Sequence, residues 1–370
     1  AGVSIPDTLD DSPISAAICV KKEEKELFQT ITESSFFPSR VRVAMFVPER
    51  TNFPINKLRN LAYTNSDSTH VLVIDIDVIP SRPLFAPLSR LASLHSTFLS
   101  LPNDVLDDPH LALVLPLFEM AHYTMNVPIG SIATPIVPIL PVHPRMNSFF
   151  SLTKYDLRMC TVTQSCSDLG NKGVNVPIVA PVTSADSLAN WFSLPADEPL
   201  TPYTCWANTQ QQPWACRRSL TPRFLIVKKT GEVPLFYTYL QDFGKNRLEW
   251  INHLRFKGFH FSLLGQSWLV HLRHRQSSLA DHYDQKKDIN GKIMRIREAE
   301  LDGMYKGAWR LPLCETQEAP YTNPFGFSVQ QLLEREEREY QKSQSPSYKR
   351  DKEIMEKFAK RRKMKKKGGA

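Results

Sequence analysis

The chain has 370 residues, of which 42% are hydrophobic, enough to bury the core of one large α/β domain or two small ones and too many for a chain disordered throughout. No apolar run nears the roughly 20 residues of a membrane-spanning helix; the longest, Val71–Val78 and Leu111–Phe118, are strand-sized. The whole formal net charge of +8 sits in Tyr348–Ala370, with eleven basic residues against three acidic ones, so the basic isoelectric point describes a tail and not the body.

In chain order, Arg40–Val47 alternates basic and apolar residues and predicts a strand. Ile55–Tyr63 places Ile55, Leu58, Leu61 and Ala62 on one face of a short helix. The β-branched run His70–Ile74 predicts a buried strand of the parallel type. A Pro turn follows at Pro80–Pro83, then a helix at Leu84–Leu94 and a second buried strand at Leu111–Pro116. This alternation is a βαβ pattern, so the fold class is α/β. Prolines at 128, 135, 138, 141 and 144 exclude a helix or central strand there, and residues 126–185 read as an irregular insertion. Later elements are a strand at Arg223–Lys229, a helix at Arg247–Phe256 and short strands at Phe259–Leu264 and Trp268–His271. Charged helices at Asp288–Tyr305 and Gln330–Tyr340 come last before the basic tail.

The six cysteines form no CxxC pair and match no zinc pattern. An even count permits disulfides in a secretory lumen and is equally ordinary in a cytosolic protein. The first residue is not Met, and no basic-then-apolar leader opens the chain, so a removed or missing start is expected.

Chemistry concentrates at Asp75-Ile76-Asp77, where two carboxylates stand one residue apart at the carboxyl end of a predicted buried strand. Ligands of open α/β sheets gather outside such strand ends. If the extended path continues, residues i and i+2 face the same way and both carboxylates reach one cation. Oxygen ligands suit Mg²⁺ or Mn²⁺, which could hold a diphosphate and neutralise a departing nucleotide. The plainer alternative is a strand end whose solvated aspartates begin a turn.

Several ordered blocks extend this motif. Phe53–Leu84 (FPINKLRNLAYTNSDSTHVLVIDIDVIPSRPL), Leu113–Glu119 (LVLPLFE), Asn190-Trp191 with Thr201-Pro202-Tyr203, Gly231–Arg247 (GEVPLFYTYLQDFGKNR) and Phe256–His271 (FKGFHFSLLGQSWLVH) together resemble the family-49 glycosyltransferases, the LARGE-type and dystroglycan β-1,4-glucuronyltransferase-like enzymes. The resemblance covers roughly residues 40–125 and 188–310. It implies a GT-A fold, a Rossmann-like half that binds a nucleotide sugar fused to an acceptor-binding half. It further implies that Asp75, Asp77 and His271 coordinate Mn²⁺ (or Mg²⁺), and that a UDP-sugar is the donor and a glycan or glycoprotein the acceptor. Imidazole beside carboxylates suits Mn²⁺ better than an all-oxygen Mg²⁺ site. Arg59, Asn60, Asp75 and Asn246 are the expected donor-binding residues. Arg59 either pairs with phosphate oxygens, which its planar fork suits, or lies on a solvated helix face. Asn246 and Arg247 either shape the pocket or cap the helix that starts there. The resemblance also implies residence in the Golgi or ER lumen, as a type II membrane protein whose anchor is not in this chain.

Two departures bear on catalysis. The family's acidic pair is replaced by Tyr237-Thr238, and a second acidic block appears as Thr221-Pro222-Arg223. An inverting transferase needs a base for the acceptor hydroxyl, and Asp242 and Glu119 are the candidates left. The family's first strand is expected before Arg40, where Ala16–Val20 could supply it. The division expected is an N-terminal segment 1–39, a glycosyltransferase domain 40–312 containing the insertion 126–185, and a charged helical tail 313–370. The function expected is metal-dependent inverting transfer of a sugar, glucuronic acid or xylose, from a UDP-sugar to a glycan. A catalytically inactive, sugar-binding relative is the first alternative. The second is a nucleic-acid-associated protein acting through the tail KRRKMKKK, although the body lacks the aromatic–basic interleaving of an RNA module.

Overall fold

Strands β1 (Ile14–Cys19) and β2 (Val41–Phe46) run parallel, joined by a 3₁₀ turn and helix α1 (Lys25–Glu33). β1 thus fills the place foreseen for Ala16–Val20. Helix α2 (Ile55–Asn65) contacts both strands. The structure is a computed structural model and describes residues 13–33, 37–48, 53–81, 106–120, 179–181, 200–203, 224–240, 245–265, 267–271, 278–312 and 323–344. The helix expected at Leu84–Leu94, most of the insertion 126–185 and the basic tail lie outside these residues.

The centre is a mixed sheet of β3 (His70–Leu72), β9 (Phe224–Lys228), β5 (Leu111–Leu115), β10 (His260–Leu264) and β8 (Leu200–Pro202), in that order. Only the β5–β10 pair is parallel. Both faces are covered. Ala112, Val114, Leu225 and Val227 point into one core cluster with Trp250, Ile251 and Leu254 of helix α3 (Asn246–Phe256). The alternate residues Leu111, Leu113, Leu115, Phe224 and Ile226 enter the other. The alternation follows from the period of two along a strand, and burial on both faces explains why β5 and β9 are apolar without interruption.

His70–Ile74 was expected to be a parallel-type strand. It is instead a short strand antiparallel to β9, at the edge of the sheet among the described residues. Val71 and Val73 pack into one core and Leu72 and Ile74 against the other, so the run is apolar because both its faces are covered, not because its neighbours are parallel.

Beyond the main sheet the chain enters a smaller one, ordered β4 (Val78–Pro80), β11 (Leu269–His271), β6 (Leu117–Met120) and β7 (Val179–Pro181). β5 leads into β6, and β10 into β11, so two central strands each feed this second sheet. Helix α3 closes at Gly258, whose φ of +83° strains any other residue and where a Cβ would stand a tight 3.1 Å from the Trp309 carbonyl. Helices α4 (Ser278–Met304) and α5 (Val329–Gln344) follow; Ile293, Met294 and Ile296 pack with Val329, Leu332 and Leu240.

Candidate functional site

The carboxyl end of β3 leads into a turn. The Val78 N–H donates to the Asp75 carbonyl at 3.0 Å, and Ile76 at the tip is fully exposed. The extended path assumed from the sequence therefore does not continue through the motif: Asp75 and Asp77 share one turn rather than one face of a strand. The chain must reverse here because β4 belongs to the second sheet, antiparallel to β11.

Asp75 is held by two arginines. Arg59 of α2 gives Nη2 to both carboxylate oxygens, at 2.9 and 3.1 Å. Arg247 of α3 brings its own Nη2 to 2.9 Å from Oδ1 as an ion pair, and donates from Nη1 to the Val73 carbonyl at 2.8 Å. The arginine side chains are 8% and 14% exposed and that of Asp75 is 37% exposed, so the carboxylate looks outward from a buried cationic backing. Burial pushes the Asp75 carboxyl up, but the Arg247 and Arg59 guanidiniums outweigh it and hold the group below the usual carboxylate range. Burial and the neighbouring Arg59 charge bring Arg247 down to about 10, so it stays protonated. The Arg247 guanidinium also stacks 4.1 Å from the centre of the Phe224 ring. Buried Arg59 Nε has no hydrogen-bond partner.

Arg59 is thus buried and paired, not on a solvated face. The other expected donor residues sit differently. The side-chain amide of Asn60 is bonded at both ends to the backbone of Phe236. Asn246 is buried as the first residue of α3. The N-cap falls on Lys245, in the left-handed region at φ 57° and without a side-chain cap, so Asn246 does not cap the helix. Arg247 takes the pocket-shaping alternative, whereas Asn56 stands out in the sequence only by its place in the Phe53–Leu84 block.

The second sheet gathers the remaining candidates by backbone register. His271 on β11 stands opposite Val78, the neighbour of Asp77, on one side and opposite Glu119 of β6 on the other. The side chains of Glu119 and His271 lie outside the described residues, as does Asp242 altogether. Among the described residues no three His, Cys, Asp or Glu groups converge as a metal site. Cys19 is a free thiol among the described residues; the other five cysteines lie outside them.

Tyr237 has Arg297 of α4 over its ring at 4.5 Å. Arg297 pairs at 3.1 Å with the buried Glu249 of α3, whose carboxyl burial pushes up to about 7 against the pull of the arginine. Burial likewise drives His253 down, to about 3. For an acid raised on folding, the unfolded chain binds fewer protons as pH climbs from the ordinary glutamate range to about 7, so Glu249 subtracts stability across that window and by a constant amount above it. Glu249→Gln is therefore expected to gain roughly 2–4 °C in melting temperature relative to wild type on going from about pH 4.5 to about pH 8. Thermal melts of both proteins at the two pH values check this; parallel behaviour would mean that Arg297 fully compensates the buried charge.

Residues 8–130 match the family described as glycosyl-transferase for dystroglycan, a stretch that contains the Phe53–Leu84 and Leu113–Glu119 blocks. The glycosyltransferase-like protein gnt14 of Dictyostelium discoideum is 22% identical over 301 residues, covering 79% of this chain and 39% of that protein. Beta-1,4-glucuronyltransferase 1 of Mus musculus is 24% identical over 256 residues, 69% of this chain and 49% of the enzyme. Xylosyl- and glucuronyltransferase LARGE2s of Gallus gallus is 31% identical over 121 residues, 31% of this chain and 15% of that protein. The chain spans half or less of the length of these relatives. A crystal structure of GalNAc-T7 with UDP, GalNAc and Mn2+ matches 78% of this chain and 48% of its own at 11% identity and a TM-score of 0.32, a likeness too slight to define the fold.

Proposed function

We propose that this chain, a divergent relative of the family-49 glycosyltransferases, transfers a sugar from a UDP-sugar to a glycan acceptor on a GT-A type fold, with inversion and with the help of a divalent cation. The observation that carries this reading is the Asp75 turn: a carboxylate facing outward, backed by two buried guanidiniums. Such a backing suits a diphosphate, which accepts planar, charge-assisted bonds from arginine.

The residues fit a cation. Asp75 is kept ionised, and three arginine contacts leave part of the capacity of a carboxylate, about four acceptor positions, unused. Asp77 lies in the same turn and His271 is paired opposite the residue after it. Carboxylates with an imidazole suit Mn²⁺. A cation there would neutralise the charge that develops on the leaving UDP. Arg59 and Arg247 hold Asp75 oriented and charged, and their positive charge favours a diphosphate beside the turn. The acceptor hydroxyl needs a base; Glu119, in register with His271, is the candidate the strands bring to this end of the sheet. The setting proposed is the Golgi or ER lumen. Among the described residues no helix is long and apolar enough to cross a membrane.

Calorimetry with UDP, with and without Mn²⁺, tests the reading. Binding should tighten with Mn²⁺, and Asp77→Asn should abolish that gain, weakening UDP binding by about 10- to 100-fold while leaving the melting temperature nearly unchanged. Equal UDP affinity with and without Mn²⁺ would remove the cation from the site. Release of UDP from a panel of UDP-sugars separates an active enzyme from the inactive relative that Tyr237-Thr238 would otherwise suggest.

A further inference from the structure

Helix α2 turns three polar side chains, Asn56, Arg59 and Asn60, toward the site, and the spacing of three and four residues puts them on one face. Asn60 makes a closed two-point pair with a single residue. The Phe236 N–H donates to Asn60 Oδ1 at 2.7 Å, and Asn60 Nδ2 donates to the Phe236 carbonyl at 2.9 Å. Only one orientation of the amide satisfies both bonds. Asn56 Nδ2 donates to the next carbonyl, that of Tyr237, at 2.8 Å, while its Oδ1 accepts from Arg59 Nη1 at 3.3 Å. The far side of the same segment is held by α3: the Phe236 ring stacks on Trp250 at 4.6 Å, and the indole N–H donates to the Pro234 carbonyl at 2.7 Å. Each helix also sends one arginine to Asp75. The contacts therefore form a closed ring, from the aspartate turn through α2 to Phe236–Tyr237 and back through α3. Past the ring the chain emerges at Thr238 and the exposed Tyr239.

We propose that Asn60 is a positioning residue and not a donor ligand: with Asn56 it fixes the Phe236–Tyr239 segment relative to the aspartate turn, so that a nucleotide sugar bound at Asp75 meets this segment at a set distance. The inference rests on the nucleotide-sugar reading of the turn and adds to it how the Phe236–Tyr239 segment, bonded to the same two helices, is held. Neither Asn60 nor Phe236 touches Asp75 directly, so the effect on ligand is mechanical. An isolated loop would lose this register, because two backbone bonds to one side chain replace the strand pairing that the segment lacks.

The test measures hydrogen exchange at the Phe236–Tyr239 amides with and without UDP plus Mn²⁺, alongside UDP calorimetry, in wild type, Asn60→Leu and Asn60→Asp. In wild type, UDP plus Mn²⁺ slows exchange across the segment. Asn60→Leu exchanges the Phe236 amide about tenfold faster, as expected for one lost hydrogen bond. It loses the slowing by ligand and keeps UDP affinity within about twofold, since no Asp75 contact has changed. Asn60→Asp retains an acceptor for the Phe236 N–H and recovers part of the protection. With whichever of UDP-glucuronate or UDP-xylose the wild type hydrolyses, Asn60→Leu lowers kcat and leaves the donor KM unchanged, a split that simple loss of folded protein does not produce. Exchange at Phe236 unchanged in Asn60→Leu, or a ligand effect there as large as in wild type, overturns the positioning role. Wild-type protein that binds no UDP refutes the nucleotide site and the coupling with it, an outcome read from the calorimetry alone.

Discussion

Replacing Arg247 by methionine is expected to weaken UDP binding in the presence of Mn²⁺ by about 30- to 100-fold, the cost of truncating one partner of a buried, hydrogen-bonded charge pair. Arg247 makes three contacts at once: the ion pair to Asp75, the hydrogen bond to the Val73 carbonyl and the stacking on Phe224. Methionine keeps only part of the last. Arg247→Lys is expected to recover little, because an ammonium cannot serve Asp75 and Val73 together as a planar fork does. The acid limit should move as well. Asp75 is ionised more readily in the folded protein than in the unfolded chain, so the clamp stabilises the protein above the usual carboxylate range. That contribution is lost as pH falls through the lowered folded value. With one guanidinium left, the loss begins at higher pH in Arg247→Met. Calorimetry with UDP and acid titrations followed by circular dichroism measure the two effects. Wild-type affinity in the methionine variant would place the diphosphate elsewhere.

The largest effect on stability is expected at Trp250. Trp250→Ala should cost about 3–5 kcal/mol, the range for truncating a large aromatic in a packed core. The indole is 2% exposed, stacks on Phe236 with ring planes 15° apart, and donates to the Pro234 carbonyl. Its removal opens a cavity between α3 and the sheet and leaves that carbonyl without its donor. Trp250→Phe keeps the stacking and should recover about half of the loss. Chemical denaturation gives both values. A loss below about 1 kcal/mol for the alanine variant would mean that the core collapses around the gap. Because Trp250 also holds the segment that Asn60 pairs with, the alanine variant should free the Phe236 amide even where the protein remains folded.

Which parts were legible in the sequence follows from what local pattern can carry. The runs at 111–115, 224–228 and 260–264 are apolar because both faces of their strands are covered, and each was read as a strand near its observed bounds. The helix at 55–65 was legible from the apolar spacing of Ile55 and Leu58. Strand direction was not: β3 is flanked by core on both sides whichever way its neighbour runs, so its composition carries no record of the antiparallel pairing with β9. The motif Asp75-Ile76-Asp77 drew attention to the candidate site, as a pair of carboxylates after a buried strand does. Its conformation was decided by the passage from one sheet to the other, which forces a turn where the local pattern allowed an extended path. Polar residues pose the same difficulty. By periodicity alone Asn56, Arg59 and Asn60 form a solvated helix face, yet Asn56 and Arg59 are buried, because Asp75, Phe236 and Tyr237 arrive from 16 to 181 residues away to satisfy them. Local sequence pattern alone determined that this chain builds an α/β core with an acidic motif just after a buried strand. Only the tertiary structure decided that two buried arginines stand behind that motif, since hydrogen-bond partners distant in sequence leave no local trace.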